Sequence, residues 1–137
     1  MSQADCIEVQ CNCGRVAFRV TCRITDLYAC HCSLCRRATG TMGVTVAVVP
    51  DGTFAWLRGE HLVRRWQMPG HDWECSFCAN CGTQLPGRND ASTTYVPAGL
   101  LDAVQDRLVV RHHVWVSSKA TWHVIGDEGQ QHPEGLT

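Results

Sequence analysis

The stretch Tyr28–Gly40 reads YACHCSLCRRATG and places Cys30, Cys32 and Cys35 within six residues. Thiolates at this spacing are ligands for a borderline-soft cation, zinc before others. A tetrahedral ion takes four ligands, so the run leaves one position to fill. Two further pairs, Cys11/Cys13 in CNCG and Cys78/Cys81 in CANCG, end on the same tripeptide, Asn-Cys-Gly. Glycine after the second cysteine admits a positive φ, so amide N–H groups can turn toward the sulfurs. Together these pairs supply four thiolates, the closed arrangement of a structural zinc. Cys75 is an alternative member of that set. No glycine follows Cys32 or Cys35, so the second cluster is not a copy of the first. Spacing alone leaves it either open or closed by Cys6, Cys22, Cys75 or one of seven histidines.

An open site of this kind has a defined chemistry. A divalent ion with three thiolates carries about −1 overall, and its electron-rich sulfurs make it a poor generator of hydroxide. It favours a soft fourth ligand, such as a substrate thiol held as thiolate. Arg36 and Arg37 are candidate substrate-binding residues, able to meet a carboxylate of a small-molecule thiol. A surface charge pair explains them equally well. Arg88 and Lys119 are weaker candidates of the same kind. Gly40, between Thr39 and Thr41, could form a backbone nest, with a plain turn as the simpler reading. His31 sits between two ligands and is expected to point away from the metal. His112, His113 and His123 flank Trp115 and Trp122 and read as strand or core histidines before acid/base groups. The chain carries no phosphate-binding glycine loop and no nucleophile elbow.

These cysteines need a scaffold, and the pattern is mostly period two. Val16, Phe18 and Val20 alternate, as do Val44, Val46 and Val48. Residues 53–58 and 62–67 flank Gly59-Glu60-His61 and predict a hairpin. Residues 93–96 and 111–116 predict further strands, and 33–39 and 100–104 short helical turns. Trp56, Trp66 and Trp73 read as core or rim aromatics. The fold class is therefore mainly β: one domain over 8–125, an N-terminal tail over 1–7, and a polar tail over 126–137 expected to fray. With 137 residues, 45% of them hydrophobic, the chain can build a core. A net charge of −1 argues against a nucleic-acid partner. No apolar run suits a membrane helix and no leader is evident, so ten cysteines point to a reducing, cytoplasmic setting and to metal before disulfides. Nothing in the pattern sets an oligomeric state.

The motifs CNCG, CHCSLCRRATG and FCANCG, with the late segment HHVWVSSKATW, together resemble the glutathione-dependent formaldehyde-activating enzyme family, whose relatives include the centromere protein V group. The resemblance spans about Glu8 to Ile125. It implies a β-tent fold, seen also in methionine sulfoxide reductase B and translationally controlled tumour protein, and two zinc ions. Cys11, Cys13, Cys78 and Cys81 match the structural site. Cys30, Cys32 and Cys35 match the catalytic site, whose fourth position is open to water or the glutathione thiol. The implied reaction joins glutathione to formaldehyde, a carbon–sulfur lyase acting in the reverse sense. Cys6, Cys22 and Cys75 lie outside the family pattern and read as small packing residues. Two other functions stay in view: a non-catalytic zinc module that binds a protein partner, and a reductase of the methionine sulfoxide type using one of those three cysteines.

Overall fold

Buried, β-branched and aromatic residues at alternate positions form the first sheet. Ile7–Gln10 (β1) pairs antiparallel with Ala17–Val20 (β2), and β2 with Phe54–Arg58 (β5). Phe18 is fully buried there, its ring 5.4 Å from Phe54 and 6.1 Å edge-on from Trp56. A second sheet of six strands runs in the order Gln130–Gln131 (β12), Val109–Val114 (β11), Asp26–Cys30 (β3), Val44–Pro50 (β4), Thr93–Pro97 (β10) and Gly87–Arg88 (β9). Its β12–β11 and β11–β3 pairs are parallel. Val63–Gln67 (β6), Glu74–Cys78 (β7) and Gln84–Leu85 (β8) form the third sheet. This computed structural model describes residues 5–136, and the mainly β class holds. Among the described residues no helix is long and apolar enough to cross a membrane.

The main core lies between the first two sheets, where Phe18, Val20, Ile24, Leu27, Val96 and Leu101 meet. On β4, Ala47 and Val49 enter this core. The alternating Val44, Val46 and Val48 face the other way and line a cavity. Ser33–Thr39 is a two-turn helix (α1). Residues expected to turn near 100–104 fall in two 3₁₀ turns, Ala98–Leu100 and Asp102–Arg107.

Two expectations change. Residues 53–58 and 62–67 do not form a hairpin, because β5 pairs with β2 while β6 pairs with β7. Gly59, at φ 76°, passes the chain from one sheet to the other, and a Cβ there would lie 2.0 Å from the Arg15 carbonyl oxygen. Only glycine fits that approach. The polar segment after Ile125 was expected to fray, yet it lies along β11. The Trp115 amide donates to the Glu134 carbonyl (2.8 Å), Val116 to His132 (3.0 Å) and His132 to His113 (2.8 Å). Backbone pairing needs no apolar side chains, so composition does not reveal it. At the other end, residues 1–4 of the expected tail lie outside the described residues, and Ile7 is already buried in β1.

Truncation after Ile125 removes β12 and these bonds. At roughly 1 kcal/mol per hydrogen bond, several losses together lower the melting temperature by about 10 °C. Limited proteolysis of the full chain should leave 126–136 attached under native conditions. Rapid release of that segment would contradict the packing.

Candidate functional site

The first cluster forms where two tight turns meet. Cys11 and Cys13 lie in the turn between β1 and β2; Cys78 ends β7, and Cys81 follows it before β8. Gly14 and Gly82 adopt φ 78° and 77°, the left-handed geometry the shared tripeptide called for. All four sulfurs lie within 4.8 Å of one another. Cys11 and Cys13 Sγ are 3.5 Å apart, and Cys13 and Cys78 Sγ 3.9 Å. Tetrahedral metal–sulfur bonds of about 2.3 Å would set sulfurs about 3.8 Å apart, so the donor set fits zinc. Neighbouring donors favour the anion: the Val16 amide reaches Cys11 Sγ at 3.4 Å, and the Thr83 hydroxyl lies 3.2 Å from Cys81 Sγ. That hydroxyl is the main cause lowering the Cys81 thiol to about 5, while burial is the main cause raising Cys11. Cys75 is not in the group.

The second cluster spans the end of β3 and the first turn of α1. Cys30, Cys32 and Cys35 bring their sulfurs within 4.8 Å of one another. Cys32 is the N-cap of α1, and its sulfur accepts the Cys35 amide at 3.4 Å. The Cys30 thiol is lowered to about 6, chiefly by its hydrogen bond with Cys35, and Cys35 is pushed up as the proton holder of that pair. Among the described residues no fourth cysteine, histidine or carboxylate joins the group. Cys22 packs against the main core, Cys6 is exposed, and Cys75 lies on β7. Three sulfurs at this separation fit the same kind of ion with one position left over.

All three sulfur-bearing residues line a cavity of about 530 Å³. Val44, Val46 and Val48 of β4 contribute one wall, and Trp73, Trp115 and Leu136 contribute others. Trp115 is the only non-glycine residue at positive φ among those described (57°), a conformation costing about 1–2 kcal/mol. Its bond to Glu134 holds it there. The sequence candidates for substrate binding fall elsewhere. Arg36 is not part of this lining, and its Nε is buried without a hydrogen-bond partner. Arg37 lines a neighbouring cavity with Leu34, Trp66, Trp73 and Cys75. Gly40 is the left-handed C-cap of α1, its amide bonded to the Arg36 carbonyl.

A chain of polar groups, two buried histidines ending on the exposed Asp127, was not read from the sequence as a unit. Asp127 Oδ1 lies 2.7 Å from His113 Nε2, and His113 Nδ1 lies 2.8 Å from His31 Nε2. The carboxylate accepts from His113 Nε2–H, and His113 Nδ1 and His31 Nε2 share one proton between them. His31 Nδ1 is buried and unpartnered. Burial above all, with His113 next, lowers the His31 pKa and keeps it neutral. His31 indeed stays out of the sulfur cluster. The one sequence signal was a histidine at a strand position, and its partner Asp127 lies in the segment expected to fray.

The hydrogen bond from His113 holds the Asp127 carboxyl below its ordinary value of 3.8. A depressed carboxyl stabilises the fold above its unfolded pKa, and that contribution disappears as pH falls through the native value. Asp127→Asn should therefore be less stable than the parent at neutral pH, and the gap should close below about pH 4. Urea unfolding of both proteins between neutral and acid pH reads this directly. A gap that is constant with pH would show that the charge is not involved.

The sequence pattern of the family described as glutathione-dependent formaldehyde-activating enzyme matches residues 6–118. No curated protein matches the chain. Among solved structures, a Rhodobacter sphaeroides protein determined by crystallography as a structural-genomics target is similar, with a TM-score of 0.59 and 23% identity. The match covers 72% of this chain and 90% of that one, a likeness of fold. The three cysteine motifs lie within the matched span, and the chain belongs to the glutathione-dependent formaldehyde-activating enzyme family.

Proposed function

We propose that the protein is a zinc-dependent carbon–sulfur lyase acting on the adduct of a thiol and a small electrophile, of which glutathione and formaldehyde are the pair in the family's name. The observation that carries this is the second cluster: three sulfurs within bonding reach of one ion, no fourth ligand among the described residues, and a cavity beside them. A zinc ion bound there would supply charge that holds a substrate thiol as its anion. Cys30, Cys32 and Cys35 would hold that ion, and Cys11, Cys13, Cys78 and Cys81 a second, structural one. The chain's own residues do the rest. The Cys35 amide fixes the Cys32 sulfur, and the cavity beside it would hold the electrophile carbon near the substrate sulfur. In the joining direction a carbon–sulfur bond forms and the thiol proton ends on the former carbonyl oxygen. Cleavage is the reverse. Ten cysteines with none in a disulfide among the described residues suit a reducing, cytoplasmic setting.

The reductase reading loses support from two of its cysteines. Burial raises the Cys75 pKa, which disfavours the reactive thiolate, and Cys22 is packed against the core beside the Thr53 hydroxyl. The protein-binding reading called for a closed second cluster.

Cys32→Ser should lower bound zinc by one equivalent and abolish turnover of the adduct, with little change in melting temperature. Cys78→Ser should instead unfold the protein at lower temperature, because its sulfur joins two sheets. Metal analysis, calorimetry and turnover distinguish the two. Full activity in Cys32→Ser would end the catalytic assignment.

A further inference from the structure

We infer that the site is built for a thiol adduct with an apolar, ring-sized or alkyl body, rather than for glutathione. The inference rests on the open thiol site proposed above and concerns what surrounds it. Among the described residues no lysine, arginine, aspartate or glutamate lines the cavity next to Cys30, Cys32 and Cys35. Glutathione is a flexible peptide whose carboxylates outnumber its single ammonium. Burying a carboxylate without a cation or hydrogen-bond donors is costly. It would also meet an ion already surrounded by three thiolates, with net negative charge. Arg36, next to Cys35, does not line the cavity, and three other cations are engaged or directed elsewhere. Arg88 faces Asp72 at 4.0 Å, and Lys119 Nζ donates to the Ala120 and His123 carbonyls. Arg37 lines the neighbouring cavity.

What the cavity does offer is apolar surface. Val44, Val46 and Val48 occupy the face of β4 opposite the core, where a merely solvated sheet would carry polar residues. Tyr28 and Tyr95 line the same space, and Trp73 stacks near Tyr95 with centroids 6.3 Å apart. Ring faces so placed accept another ring in an offset or edge-on arrangement. A volume of about 530 Å³ admits a body of ordinary small-molecule size. His71, the Tyr28 hydroxyl and the indoles of Trp73 and Trp115 carry the polar atoms that could meet a polar end, and none of them is a fixed cation. The strained Trp115 and Leu136 complete the wall, so the segment after Ile125 takes part in substrate choice.

The test is a titration of the cobalt-substituted full chain, read by the visible bands that respond to the fourth ligand. The probes are benzyl mercaptan, glutathione and, as a small reference thiol, 2-mercaptoethanol. Benzyl mercaptan should half-saturate the site at a concentration about tenfold below that of 2-mercaptoethanol, as expected when roughly half of a phenyl ring leaves water. Glutathione should show no advantage over the reference. Leu136→Arg, at an exposed position remote in sequence from the cysteines, should shrink the benzyl preference and improve glutathione. Glutathione binding as tightly as benzyl mercaptan, or benzyl mercaptan equal to the reference, would overturn the apolar assignment and leave the open thiol site standing. No spectral response to any of the three would remove the thiol site itself, and this inference with it.

Discussion

The four sulfurs that meet between the β1–β2 and β7–β8 turns are the constraint on which the architecture depends. The flanking sheets have three strands each, and β8 is only two residues long. Three strands with a buried face are about the least that a sheet needs to be stable. The second core cluster beside the sulfurs is correspondingly thin: Cys11, Val16, Val63, Cys78 and Leu85. Two of its five buried members are themselves the cysteines. A metal ion there would join segments separated by more than sixty residues (Cys13 and Cys78 are 65 apart) and would constrain the unfolded chain as a long cross-link does.

The second cluster offers the same ligand type in different surroundings. In the first, both halves come from turns with left-handed glycines, so four sulfurs approach from two sides and would close the shell around an ion. In the second, all three sulfurs come from one short run ending in α1, and they can cover only one side of an ion. The opposite side is the cavity. Closure would need another chain segment, and the residues that occupy that place are valines and aromatics.

Much of this was legible in the residues. Repeated Asn-Cys-Gly separates the seven ligand candidates into four and three, because a left-handed turn has few alternatives to glycine. Residues 33–39 read only as a short helical turn, and the Cys32 N-cap and Gly40 C-cap of α1 are visible in the fold alone. The hairpin between β5 and β6 was misread because a glycine between two strands looks the same whether the chain returns or crosses to another sheet. Only the contact between Gly59 and Arg15 decides it. The substrate wall was out of reach for another reason: period-two valines mark a buried face but do not say whether core or cavity lies behind it.

Residues 126–136 bear on the fold and on the cavity together. Polar composition suggested a loose end, but its carbonyls accept amides of the 115–117 turn, and Asp127 anchors a histidine pair running to His31. His31 lies between Cys30 and Cys32, and its amide donates to the Val114 carbonyl. The same segment thus fixes the backbone that presents two of the three sulfurs and holds Trp115 in a conformation it would not adopt alone. Strain of this kind persists only where surrounding bonds over-determine it. Here those bonds come from a segment that also supplies Leu136 to the cavity, so a change in the tail alters the shape of the site before it alters the sulfurs.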